Sequence, residues 1–150
     1  MEFNSMNEIL DFAIGKEEEA YNLYRKIADS VKLPNMRQIF IDFANQEAEH
    51  KAKLLQVKTG KMELPADKTI KDLKIGDYLM DIEVASDLNY QQALIVAMKA
   101  EKNAFVMYTN LAAAAKNPNL KAMLLGLAAE EANHKLRIEM EYDSQIMIEN

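Results

Sequence analysis

Ala44-Asn45-Gln46-Glu47-Ala48-Glu49-His50 returns 84 positions later as Ala128-Ala129-Glu130-Glu131-Ala132-Asn133-His134. Both stretches carry Glu-x-x-His, and they contain the only two histidines of the chain. The same shift, with no gap, lays Glu17 on Glu101, Tyr24 on Tyr108 and Pro34 on Pro118. It also lays Ala13, Ala20, Ala28, Lys32, Asn35 and Lys51 on Ala97, Ala104, Ala112, Lys116, Asn119 and Lys135. The chain is therefore a duplicated unit. Two copies are too few for a solenoid, so each must bury its apolar face against the other. This predicts an all-α four-helix bundle of two helical hairpins joined by a long crossover.

Local signals place the helices. Ser5 with Glu8 has the spacing of a capping box, and Ile9, Phe12, Ala13, Ala20, Leu23, Tyr24 and Ile27 recur with helical period, giving a first helix over about 6–32. Leu33-Pro34-Asn35 breaks it, since Pro cannot donate to the ladder and disfavours helix in the residue before it. Asn35 with Gln38 starts a second helix over about 35–59, and Gly60 is a natural stop. Asn89 with Gln92 opens a third helix over about 90–116, on Leu94, Ala97, Met98, Ala104, Phe105, Met107, Tyr108 and Leu111. Asn117-Pro118-Asn119 repeats the earlier break, and a fourth helix covers about 119–145, fraying near Ser144 to Asn150. The link over about 61–88 is long for a compact domain and is expected to run along the bundle.

Composition agrees with one helical domain over 1–150. Apolar residues are 49% and charged residues 28%, with four Gly and three Pro. The formal charge of -6 argues against nucleic acid as a partner. Cysteine is absent, which excludes disulfides, Cys-ligated zinc and iron–sulfur clusters within this sequence. Met1 to Leu10 lacks the basic and apolar runs of a secretory signal, and no stretch is apolar for long enough to span a membrane, so the expected location is cytoplasmic.

Residues three apart on a helix share a face, so Glu47 with His50, and Glu131 with His134, can each grip one ion. In an antiparallel hairpin, residues equally far from the turn lie level. Glu17 and Glu47 are each 15 positions from Lys32, and Glu101 and Glu131 each 15 from Lys116. All four carboxylates are thereby expected at one height, on the order of 22 Å from the turns. Ala20 and Tyr24 follow Glu17 on its stripe, as Ala104 and Tyr108 follow Glu101, so both Glu side chains should point inward. Four buried carboxylates repel and are costly to desolvate unless protonated or neutralised, and two divalent cations balance them.

One imidazole per ion in a carboxylate-rich set suits Fe or Mn, and Zn can substitute, with iron the expected occupant. Glu130 competes with Glu131, being four residues before His134, but its counterpart is Gln46 and it breaks the pairing. Glu131 is therefore taken as the ligand. Glu18, Glu19 and Glu49 read as a solvated charged face. Tyr24 and Tyr108 are placed where a phenol can hydrogen-bond a ligating carboxylate or simply pack. The ten methionines read as fillers of irregular space between helices.

Ala-x-x-x-Glu-x-x-Ala-x-x-x-Tyr at Ala13 to Tyr24 and again at Ala97 to Tyr108, each followed by Glu-x-x-His, resembles the rubrerythrin branch of the ferritin-like superfamily over nearly the whole chain. The resemblance implies a di-iron carboxylate site with Glu17, Glu47, His50, Glu101, Glu131 and His134 as ligands. Two departures stand out. Rubrerythrins proper carry a rubredoxin module with iron held by four cysteines, and this sequence has none, so the resemblance implies a separate electron donor such as a rubredoxin-type protein. Rubrerythrins also place a further carboxylate on the third helix, whereas Met98 and Ala104 flank Glu101 here, leaving a symmetric six-ligand set closer to bacterioferritin. The leading expectation is an oxidoreductase that reduces hydrogen peroxide or dioxygen, as a homodimer. The alternatives are ferroxidase and iron storage, or a metal-stabilised scaffold without turnover.

Overall fold

The computed structural model describes residues 6–60 and 88–149, and these contain four helices and no strand. They are α1 (Met6–Ser30), α2 (Pro34–Lys58), α3 (Tyr90–Ala114) and α4 (Pro118–Glu149). The anticipated box at Ser5 and the crossover over about 61–88 fall outside the described residues, apart from Leu88. Among the described residues no helix is long and apolar enough to cross a membrane.

Both prolines of the hairpin turns sit inside the helix that follows. Leu33 is the N-cap of α2 in an extended conformation and Pro34 takes a first-turn position. A proline costs nothing there, because the first-turn N–H has no intrahelical partner and the ring presets φ. The expected start at Asn35 is thus corrected, and α2 has no side-chain cap. Instead Arg37 reaches back and donates from Nε and Nη2 to the Val31 carbonyl at 3.3 and 3.2 Å, tying the turn to the end of α1. In the second hairpin Asn117 Oδ1 accepts from the backbone N–H groups of Asn119 and Leu120 at 2.8 and 3.1 Å.

Asn89 and Gln92 form the capping box the sequence suggests: Asn89 Oδ1 accepts from Gln92 N at 2.8 Å, and Gln92 Oε1 accepts from Asn89 N at 3.1 Å. Asn89→Ala is expected to lower stability by about 1 kcal/mol, since a lost cap leaves a first-turn donor unpaired. Urea denaturation measures this, and an unchanged midpoint would mean that α3 is held by packing alone.

Each helix buries one stripe: Ile9, Leu10, Ala13, Tyr24 and Ile27 from α1, and Phe40, Phe43, Ala44 and Leu54 from α2. From α3 and α4 come Leu94, Ala97, Tyr108 and Leu111, and Leu120, Leu124, Leu127 and Ile138. These residues form two separate apolar clusters. One joins the N-terminal halves of α1 and α4 to the C-terminal halves of α2 and α3, and the other joins the opposite halves. The bundle is therefore antiparallel within each hairpin and between α1 and α3, with a polar layer dividing its core. Tyr24, Phe40 and Phe43 pack as rings 5.6 to 6.4 Å apart beside that layer. Periodicity alone misassigns a few positions. Phe105 is 39% exposed, and Met140, at 65%, fills no interhelical space.

Candidate metal centre

Glu17, Glu47, Glu101 and Glu131 occupy the layer between the two apolar clusters, each no more than 2% exposed, with His50 at 2% and His134 at 9%. Their level placement follows from the hairpin register, and their inward direction from the apolar stripe each shares. The atoms come together as two overlapping quartets, each with ligand atoms within 4.8 Å of one another: Glu17, Glu47, His50 and Glu131, and Glu47, Glu101, Glu131 and His134. Glu47 and Glu131 belong to both. The spacing shows two Glu-x-x-His clamps, but not that each carboxylate lies on the midline between them.

His50 Nδ1 faces Glu131 at 3.0 Å, Glu17 at 3.5 Å and Glu47 at 3.6 Å. His134 Nδ1 faces Glu47 and Glu101, both at 3.5 Å, and Glu131 at 3.8 Å. The imidazole rings lie nearly parallel, centroids 6.1 Å apart, and Phe43 covers His134 at 5.0 Å.

Protein groups leave this cluster unsatisfied. Glu17 Oε2, Glu47 Oε1, His50 Nδ1, Glu101 Oε2, both oxygens of Glu131 and His134 Nδ1 are buried without a hydrogen-bond partner. Among the described residues, Gln46 Oε1 is the one further buried polar side-chain atom without a partner, and it lies outside the quartets. A buried acceptor left bare is costly, and several facing one another more so. A cation among them would answer all of them at once, so oxygen-rich sites with one imidazole each fit Fe or Mn.

The protonation of the metal-free layer shows the same strain. Burial first, then the charge of Glu131, pushes Glu47 well above the ordinary carboxylate range. Burial, then Glu101 and Glu17, does the same to Glu131. Burial pulls His134 down, but the Glu101 and Glu47 carboxylates facing its Nδ1 outweigh burial and raise the imidazole to about 9. His50 is also raised, burial again being outweighed by Glu17, Glu47 and Glu130.

Tyr24 and Tyr108 do hydrogen-bond carboxylates of the layer, each that of the other hairpin. Tyr24 Oη donates to Glu101 Oε1, and Tyr108 Oη donates to Glu17 Oε1. Two turns separate each phenol from the Glu of its own helix, and the antiparallel pairing of α1 with α3 brings the partner Glu level instead. Tyr108→Phe keeps the ring and removes the donor. It is expected to weaken metal binding about 10- to 100-fold, in line with other outer-shell partners. Competition with a chromophoric chelator measures this, and an unchanged affinity would leave the phenol a packing role only.

Glu18, Glu19 and Glu49 are exposed. Glu18 pairs with Lys51 and Glu19 with Lys16, at 3.2 and 3.0 Å. Glu130 is 46% exposed at its side chain and lies outside the quartets, but its Oε2 is 2.9 Å from His50 Nε2. From spacing alone Glu130 stands only as a rival ligand. The available signal was its mismatch with Gln46.

A model of the Rubrerythrin family matches residues 8–87 and 92–145. The fold is similar to that of a Thermotoga maritima structure described as a ferritin-like diiron-carboxylate protein, with a TM-score of 0.80 and 17% identity over 97% of this chain and 99% of that one. A hypothetical protein from Pyrococcus furiosus gives 0.70 at 26% identity, covering 93% and 89% of the two chains. An uncharacterized conserved protein from Magnetospirillum magnetotacticum gives 0.69 at 25%, covering 91% and 92%. No curated protein matches the sequence.

Proposed function

Because the chain belongs to the rubrerythrin family, we propose that it is a di-iron carboxylate oxidoreductase that reduces hydrogen peroxide with electrons from a separate donor. The observation that carries this reading is the pair of buried quartets sharing Glu47 and Glu131. Glu17 and His50 would complete one iron position, Glu101 and His134 the other. When bound, two ferrous ions supply the two electrons that, with two protons, convert one peroxide to two waters.

The side chains contribute three things. The four carboxylates match the charge of two divalent ions, so the loaded layer is neutral where the metal-free one must hold protons. Tyr108 and Tyr24 fix one oxygen of Glu17 and of Glu101 and leave the other oxygen of each free to ligate. The apolar clusters above and below the layer, with Phe43 against His134, keep bulk water from the reacting atoms.

These residues include no cysteine to hold a rubredoxin-type iron, so the electrons reach the layer from outside the four-helix domain, and a homodimer is the assembly that accompanies this reading. Rapid mixing of the anaerobic ferrous protein with peroxide, and separately with dioxygen, tests it. Oxidation by peroxide is expected to be the faster. Oxidation no faster than by dioxygen, in a particle of cage size, would replace peroxide reduction with ferroxidase and storage chemistry.

A further inference from the structure

His50 and His134 occupy matching places in the duplication, yet their outer partners differ. His50 turns Nδ1 into the carboxylate layer and Nε2 outward, where Glu130 Oε2 lies 2.9 Å away. Glu130 comes from α4, on the other hairpin, and also lies 3.8 Å from Lys53 Nζ. The residue that matches Glu130 is Gln46. The Gln46 side-chain oxygen is buried and accepts no hydrogen bond, so it gives His134 no equivalent acceptor.

The difference has a chemical consequence. An imidazole that ligates through Nδ1 must carry its proton on Nε2, and an acceptor at Nε2 fixes that tautomer and the ring's orientation. A carboxylate there also makes Nδ1 a stronger donor to a cation.

We propose that Glu130 is a positioning residue that makes the two metal positions unequal. It holds His50 ready to ligate, so the position formed by Glu17, Glu47, His50 and Glu131 fills first and the position at His134 second. The inference rests on the two-ion reading above. It gives the centre an order of loading that the near-symmetry of its six ligands does not.

The test is a titration of the chelator-stripped full chain with Co2+, without oxygen, followed by visible absorption. Wild type is expected to take up two equivalents in two steps. Glu130→Gln keeps the shape and removes the charge. It should weaken the first step about 10- to 100-fold and leave the second in place. Gln46→Glu should strengthen the second step. Lys53→Met, which removes only the exposed ion pair, should move neither. Two steps unchanged in Glu130→Gln, or both weakened alike, would overturn the role of Glu130 alone. Uptake of fewer than two equivalents by wild type would overturn the two-ion reading itself.

Discussion

Glu131→Ala is expected to emerge from anaerobic iron loading with no bound metal, Glu17→Ala with one ion per chain and Glu130→Ala with two. The order follows from membership of the quartets. Glu131 belongs to both, so its removal takes a ligand from each position, whereas Glu17 belongs to one and leaves Glu47, Glu101, Glu131 and His134 complete. Of the six candidate ligands Glu130 meets only His50, at its outer nitrogen, so its loss weakens one step of binding without emptying the site at saturating iron. The fold should survive Glu131→Ala. Removing one of four crowded buried carboxyl groups relieves their mutual repulsion, and the two apolar clusters that carry the fold are left intact. Elemental analysis after desalting, with circular dichroism as the check on folding, gives the counts. Equal loss in Glu131→Ala and Glu130→Ala would undo the choice of ligand, and equal loss in Glu131→Ala and Glu17→Ala would undo the sharing.

The sequence shows the duplication, both hairpin breaks and the height of the polar layer, because each depends only on spacing along a helix. Pro34 ends one helix and begins another, and pattern reading places the new start one residue late because it credits Asn35 with a capping role that α2 does not use. What spacing cannot show is contact between the hairpins. Tyr24 reaches Glu101, Tyr108 reaches Glu17, and Glu130 reaches His50 only through the way α1 meets α3 and α2 meets α4. The sharing of Glu47 and Glu131 is likewise a property of the bundle cross-section. Phe105 and Met140 fall in helices apolar on more than one side, where period no longer singles out the core face.

The same layer makes stability depend on pH in opposite senses with and without metal. In the metal-free protein Glu47, Glu131, His50 and His134 all hold protons more tightly than they would in the unfolded chain. A raised folded-state pKa gives stability that is present below the unfolded pKa and lost as pH rises through the folded value. For the two carboxylates the loss begins above the ordinary value of 4.5, and for His134 it runs from 6.5 to about 9. The metal-free melting temperature should therefore fall from pH 5 to pH 8. Metal binding needs these ligands deprotonated and expels their protons, so its stabilisation grows over the same range. A thousandfold excess of free metal over Kd contributes about 4 kcal/mol per ion. At roughly 2–4 °C per kcal/mol for a chain of this size, the loaded protein should melt 10 °C or more above the stripped one at pH 8, and much closer to it at pH 5. Melts with and without Mn2+, which avoids oxidation during heating, check both slopes. A stripped protein that grows more stable toward pH 8, or a gap that narrows, would mean that the buried carboxylates are ionised and tolerated without cations, and the case for a metal layer would lose its physical basis.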